Sequence, residues 1–108
     1  MKILLAVDDS PVSLRAAAQV IALAGELTLP PEVHVLYVHP PIPVDFATRH
    51  VSREALDAYY RDEGEDVLKA AVTQLQAAGL DVVRHLHVGH PADVVVKLAD
   101  ELGCDYIC

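Results

Sequence analysis

The sequence predicts an α/β protein, an open parallel sheet with flanking helices. Three observations carry that expectation. Strand-like and helix-like segments alternate along the whole 108 residues. The first strand, Ile3–Val7, is an uninterrupted apolar run, as a strand buried on both faces of a parallel sheet requires. Helix-length segments separate successive strands, which is the spacing of parallel crossovers rather than of hairpins. At this length a single domain over residues 1–108 is expected.

The elements follow in order. Ser10-Pro11 offers an N-cap and a proline at the first helical position. Leu14, Ala17, Ala18, Ile21, Ala22 and Ala24 then recur at helical spacing, giving a helix to about Leu27 that Pro30-Pro31 stops. Val33–Val38 is the second strand, with Val33, Val35 and Tyr37 on one face and His34, Leu36 and Val38 on the other. The prolines of His39-Pro40-Pro41-Ile42-Pro43 lack ladder donors, so a long loop runs from here to about His50. Ser52 caps the second helix, whose apolar stripe is Leu56, Tyr59, Tyr60, Val67, Leu68, Ala71, Val72, Leu75 and Ala78. Gly79 suits its C′ position, and Gly64 is expected to mark a kink or a frayed turn. Val82–Val88 forms the third strand. Gly89-His90-Pro91 opens a third helix with Val94, Val95, Leu98, Ala99 and Leu102 inward and Gly103 at its end. Asp105-Tyr106-Ile107-Cys108 is a fourth strand.

Charge narrows the partners. Sixteen acidic residues against eight basic ones leave a formal −8, which argues against a sequence-independent grip on nucleic acid and against an anionic membrane surface. No apolar run approaches the roughly 18–20 residues of a membrane span. The N-terminal apolar stretch runs into Asp8-Asp9 too soon for a signal peptide, so a cytoplasmic protein is expected. Cys104 and Cys108 read as reduced small hydrophobes rather than as a disulfide or a zinc site.

Ligands of open α/β sheets sit beyond the carboxyl ends of the strands, at the switch in strand order. That singles out Asp8, Asp9, Ser10, Val38, His39 and Cys108. Asp9 and Ser10 either compensate the amides of the helix start or belong to a site. In the second case Asp8 accepts hydrogen bonds from a ligand hydroxyl or amine, or the acidic pair holds Mg²⁺ through hard oxygen donors. His85 and His87 share one face of the third strand and read as polar residues on its open side; the alternative is a surface zinc or nickel site needing a further carboxylate. No metal-ligand set is assigned. His39 either meets a nucleoside or faces solvent, and Tyr59 and Tyr60 read as core and rim. No catalytic residues are assigned, since no nucleophile–base–acid order, metal-binding helix motif or phosphate loop is present in these residues.

Two families resemble parts of this pattern. Val7-Asp8-Asp9-Ser10-Pro11 after Lys2-Ile3-Leu4-Leu5 resembles the acidic pair of response-regulator receiver domains. A receiver, however, carries its phosphorylated Asp at a strand end some fifty residues in, where this chain has Thr48-Arg49-His50-Val51-Ser52. The same opening resembles the universal stress protein family, and that likeness continues. Val35-Leu36-Tyr37-Val38-His39-Pro40-Pro41 is similar to the family's second strand and its exit. Ala77-Ala78-Gly79-Leu80, Val88-Gly89-His90-Pro91-Ala92 and the stretch Ala99 to Ile107 match its later elements in order and spacing.

The resemblance implies an adenine nucleotide alpha hydrolase-like sheet in the order 3-2-1-4. It also implies a small stress-response protein that binds ATP or AMP, with Mg²⁺, and catalyses at most feeble ATP hydrolysis. By position, Ala6, Val7, Asp8 and Val38 match the family's adenosine half-site. ATP-binding members continue into a Gly-x-x-Gly-x(9)-Gly-Ser/Thr loop, a further helix and a fifth strand, which these residues do not include. ATP binding is therefore expected to be weakened or absent, the alternative being a nucleotide-independent interaction protein. With the fifth strand missing, the fourth-strand edge and apolar surface around Val7, Tyr106 and Ile107 are expected to be exposed, giving a homodimer through that edge.

Overall fold

The computed structural model describes residues 1–42 and 52–108. The loop expected between Pro43 and His50, and most of the Thr48–Ser52 stretch weighed against a receiver, lie outside the described residues. The elements are β1 (Lys2–Val7), α1 (Pro11–Glu26), β2 (Glu32–His39), α2 (Arg53–Ala77), β3 (Asp81–Val88), α3 (Pro91–Leu102) and β4 (Tyr106–Ile107). All strand pairings are parallel and the sheet order is β3-β2-β1-β4, as the family likeness implied. Leu4 pairs with His34 on one side and with Ile107 on the other, so β1 is the strand at which the order reverses.

Side-chain alternation sorts the strand residues onto two faces. One face carries Ile3, Leu5, Val7, Val33, Val35 and Tyr37, packed against Ala17 and Val20 of α1 and Leu68, Ala71, Val72 and Leu75 of α2. The other carries Leu4, Leu36 and Val38, covered by Leu98 and Ala99 of α3 with Val94, Val95 and Leu102 at the margin.

Both predicted glycine stops are met. Gly79 has φ +83°. Its N–H donates to the Gln76 carbonyl, and the next N–H, from Leu80, reaches back to Leu75. This is the paired closure that satisfies the last carbonyls of a helix and that favours a residue without a Cβ. Ser52 caps the start of the same helix, accepting from the Ala55 N–H at 3.1 Å.

Four expectations are corrected. On α1 the buried face is Ser13, Ala17 and Val20, with Ala16, Ile21, Leu23 and Ala24 beside it, whereas Leu14 is 43% exposed and Ala18 and Ala22 lie outside. An alanine-rich helix has a weak apolar phase, and the polar Ser13 was not counted toward it. Gly64 marks neither a kink nor a frayed turn. It is buried within the continuous α2, and a Cβ there would run into Leu86 of β3, 2.7 Å from Cδ2 and into Cδ1. It is glycine because helix and sheet approach closely at that point. Ala78, placed on the α2 stripe, is exposed because the helix has ended before it. Val7 is not exposed: it points into the α1–α2 core, and only Tyr106 and Ile107, 51% and 52% exposed, remain uncovered at the β4 edge.

Candidate functional site

The carboxyl ends of β1 and β2 open into a crevice of about 190 Å³ lined by Ala6, Val7, Asp8, Leu36, Val38, Pro91 and Val95. Its floor is the pair of central strands and its roof is the start of α3. The crevice lies at the strand where the order reverses, the place where open sheets bind ligands. The four positions that the family likeness implies, Ala6, Val7, Asp8 and Val38, line it, whereas the strand-end candidates Asp9, Ser10 and His39 do not. Leu36, Pro91 and Val95 were not named. Leu36 was legible from the two-residue period that puts it on the face of Val38, and Pro91 and Val95 needed the crossover of α3. At about 190 Å³ the crevice is smaller than the roughly 300–1,000 Å³ of a complete small-molecule pocket, so it suits one part of a ligand.

Asp8 is the polar group at its mouth. Oδ1 accepts from the Ser10 N–H at 2.8 Å, the Ser10 hydroxyl at 2.6 Å and the Ser13 hydroxyl at 2.9 Å. The Asp8 N–H donates in turn to Ser13 Oγ at 2.7 Å. The Ser10 hydroxyl, the Ser10 amide and then Ser13 hold the Asp8 carboxyl below the usual carboxylate range. It is thus ionised and rotationally fixed, with its other oxygen free of protein donors among the described residues. The arrangement corrects the expected N-cap: Ser10 occupies that position, but its hydroxyl serves Asp8 and makes no cap bond.

On the opposite face a wider cleft of about 500 Å³ lies between α1 and α2, lined by Asp8, Asp9, Ser10, Glu63 and Asp66 together with apolar helix residues. Four carboxylates at its rim make it a poor host for a polyanion. The smaller crevice, less acidic and at the switch strand, is the better ligand candidate despite its size.

His39 belongs to this second face and is not solvent-facing, being only 7% exposed. Its Nδ1 meets the Pro40 carbonyl at 2.7 Å and its Nε2 meets Glu63 Oε2 at 3.0 Å. Tyr37, Tyr59 and Tyr60 surround the ring with centroids 4.8–5.8 Å away. Both ring nitrogens face acceptors, which only the doubly protonated imidazolium can satisfy. Burial alone would lower its pKa; the bonds to Glu63 and Pro40 outweigh that and raise it. Tyr60 donates nothing to His39; its hydroxyl accepts from the Ile42 N–H at 2.8 Å. Tyr59, half exposed, and the His39 ring hold Glu63 below its usual value. The tyrosines therefore form neither plain core nor a cofactor box but the wall of a clamp joining the β2 exit to α2.

His85 and His87 lie on the more open face of the edge strand β3 as expected, and His85 is also bonded to His34: Nδ1 of His34 lies 2.8 Å from Nε2 of His85. Burial, then the neighbouring His34 and His87, lower the His85 pKa. Cys108 runs beside β1, its N–H donating to the Leu4 carbonyl and its carbonyl accepting from Ala6, but it does not line the crevice. Among the described residues no three His, Cys, Asp or Glu side chains gather closely enough to hold a metal ion. Among the same residues no helix is long and apolar enough to cross a membrane.

A four-stranded parallel sheet in the order 3-2-1-4 with flanking helices, and a small crevice at the switch strand beneath a crossover helix, defines the adenine nucleotide alpha hydrolase-like class of fold. Within that class the chain belongs to the universal stress protein family, whose profile matches residues 1–108. It is 29% identical over 106 residues to Universal stress protein MJ0531 of Methanocaldococcus jannaschii, a match spanning 98% of this chain and 61% of that relative. A universal stress protein solved in complex with cAMP superimposes with a TM-score of 0.71 at 26% identity, over 99% of this chain and 73% of that one. The structure of hypothetical protein MJ0577 gives a TM-score of 0.80 at 24% identity, over 98% of this chain and 71% of the other. The chain thus spans about three fifths of its curated relative.

Proposed function

We propose that this universal stress protein acts as a stress-response protein of the adenine-nucleotide-binding type, taking the nucleoside part of its ligand in the β1–β2–α3 crevice. The observation that carries this reading is the crevice itself, in which Ala6, Val7, Asp8 and Val38 converge at the switch strand. Ala6 and Val38 offer an apolar surface to a base, and the ionised Asp8 accepts from a ribose hydroxyl or a base amine. A relative of 26% identity solved with cAMP supports the same ligand class. Phosphates find little here: the ionised Asp8 stands at the mouth, and no Gly-x-x-Gly occurs within these 108 residues. Binding of ATP or AMP by this chain accordingly depends on the nucleoside, with Mg²⁺ needed to bridge phosphate and carboxylate. The protein works as a cytoplasmic binding module, not as an enzyme, in a single domain over 1–108.

Calorimetry with adenosine, AMP and ATP, with and without Mg²⁺, tests this reading. Asn at position 8 keeps an acceptor for Ser10 and Ser13 but removes the charge. A hydrogen bond to a charged group contributes about 1.5–3 kcal/mol, so Asp8→Asn should weaken adenosine binding about ten- to hundredfold. No heat or thermal shift with any adenine compound at millimolar concentration would leave the nucleotide-independent interaction protein in its place. The half-exposed Tyr106 and Ile107 favour self-association of the 108-residue chain through the β4 edge, and sedimentation showing a monomer at ~100 µM would reject it.

A further inference from the structure

The α3 side of the sheet carries a second polar group, away from the crevice and from the His39 clamp. The β2–β3 register sets His34 against Val83, Leu36 against His85 and Val38 against His87, so all three imidazoles rise from the same face. His34 and His85 stack with centroids 5.1 Å apart and an interplanar angle of 29°. His34 is only 5% exposed, and its Nε2 is buried without a hydrogen-bond partner among the described residues. The nearest charge to that atom is Glu32 Oε2 at 3.4 Å.

These contacts assign the tautomers. A carboxylate beside Nε2 of His34 places the proton on that nitrogen, which leaves Nδ1 as an acceptor. The 2.8 Å bond then requires the N–H to come from Nε2 of His85. Nδ1 of the partly exposed His85 is left with a free lone pair. Two residues on, the exposed His87 stands on the same face of an edge strand.

We propose that His85 and His87 form a two-imidazole chelate for borderline divalent transition-metal ions, with His34 and Glu32 as the residues that position His85. A metal-binding histidine characteristically gives its other ring N–H to an acceptor that fixes tautomer and orientation, and His34 Nδ1 is that acceptor here. Imidazole nitrogens suit zinc, nickel and copper, and among divalent ions Cu²⁺ binds such donors most tightly. With no third protein ligand among the described residues, the remaining positions belong to water, and the ion exchanges readily.

Cu²⁺ added alone to the whole chain, followed by electron paramagnetic resonance and by broadening of the histidine ring signals, tests the site. One Cu²⁺ per chain coupled to two imidazole nitrogens is expected, with His85 and His87 broadened before His90. His87→Ala should leave a one-nitrogen spectrum and at least tenfold weaker binding. Glu32→Gln, at a surface position that keeps the fold, should retain both nitrogens while weakening binding about tenfold. His34→Gln should act in the same direction. Copper binding unchanged in the His85→Ala/His87→Ala double variant would overturn the proposal, as would a one-nitrogen spectrum from the unaltered chain. Glu32→Gln binding as tightly as the unaltered chain would overturn the positioning role.

Discussion

The two faces of the sheet share the same strands but are closed in different ways. Against α1 and α2, Ile3, Leu5, Val33, Val35, Val72 and Leu75 are wholly buried, and the layer is continuous from Val20 to Leu80. Against α3, a single 12-residue helix covers Leu4, Leu36 and Val38, while its own Leu98 and Ala99 remain slightly accessible. Beyond that helix the same face carries the buried His34, the half-buried His85 and the exposed His87, and at its end lies the β1–β2–α3 crevice. Two helices seal a core; one helix leaves room for chemistry. The larger apolar core lies on the first face, and the candidate crevice and the His34–His85 pair lie on the second.

Truncations should expose that asymmetry most strongly. Leu75→Ala, in the doubly covered face, should cost about 3–5 kcal/mol, the upper part of the range for large-to-small core changes. Leu98→Ala should cost about 2 kcal/mol, because a helix at the margin can settle and water can reach the site. Urea denaturation midpoints measure both. Equal costs would mean that the two faces are equally well packed.

Gly64 tests how closely α2 approaches the sheet. In an ordinary helix interior Gly→Ala gains up to about 1 kcal/mol. Here the new methyl meets both terminal carbons of Leu86, and overpacking of this kind costs about 1–3 kcal/mol. Gly64→Ala should therefore destabilise the native chain by up to about 2 kcal/mol, less if Leu86 changes rotamer. In a Leu86→Ala background the same change should become stabilising, a reversal that a double-mutant cycle reads directly. Without a reversal, the tight approach at Leu86 would not be the reason for glycine.

The smallest effect is the pH dependence of the His39–Glu63 clamp. The folded state raises the His39 pKa, so its contribution is complete below the unfolded value near 6.5 and fades as pH rises through the folded one. Glu63 is lowered, so its contribution is present above its unfolded value near 4.3 and is lost as pH falls through the folded one. The stability difference between the native chain and Glu63→Gln should thus be largest between the unfolded values of the two groups and shrink as pH rises past the unfolded histidine value near 6.5. A difference that grows steadily with pH would mean that His39 is neutral in the fold.

Much of the fold was legible because local chemistry points one way at each step. The apolar run Ile3–Val7, the alternation of Val33 to Val38, the Ser52 cap and the Gly79 and Gly103 stops each act within a few residues. Of the crevice, Asp8 and Val38 followed from the strand-end rule, whereas Ala6 and Val7 came only from family likeness. The burial of His39 and the His34–His85 bond were not legible, since nothing within ten residues of His39 announces Glu63, and fifty-one residues separate His34 from His85.

By itself the sequence determined the alternation of strands and helices, their approximate ends and an acidic protein with a carboxylate at the end of its first strand. Those features depend on period, propensity and capping, which act over one or two turns of chain. Only the tertiary structure decided which face of α1 is buried, why position 64 carries no side chain, and which histidines are clamped, paired or free. Each of those depends on atoms brought together across the sheet, and side-chain contact at a few ångströms has no counterpart in spacing along the chain.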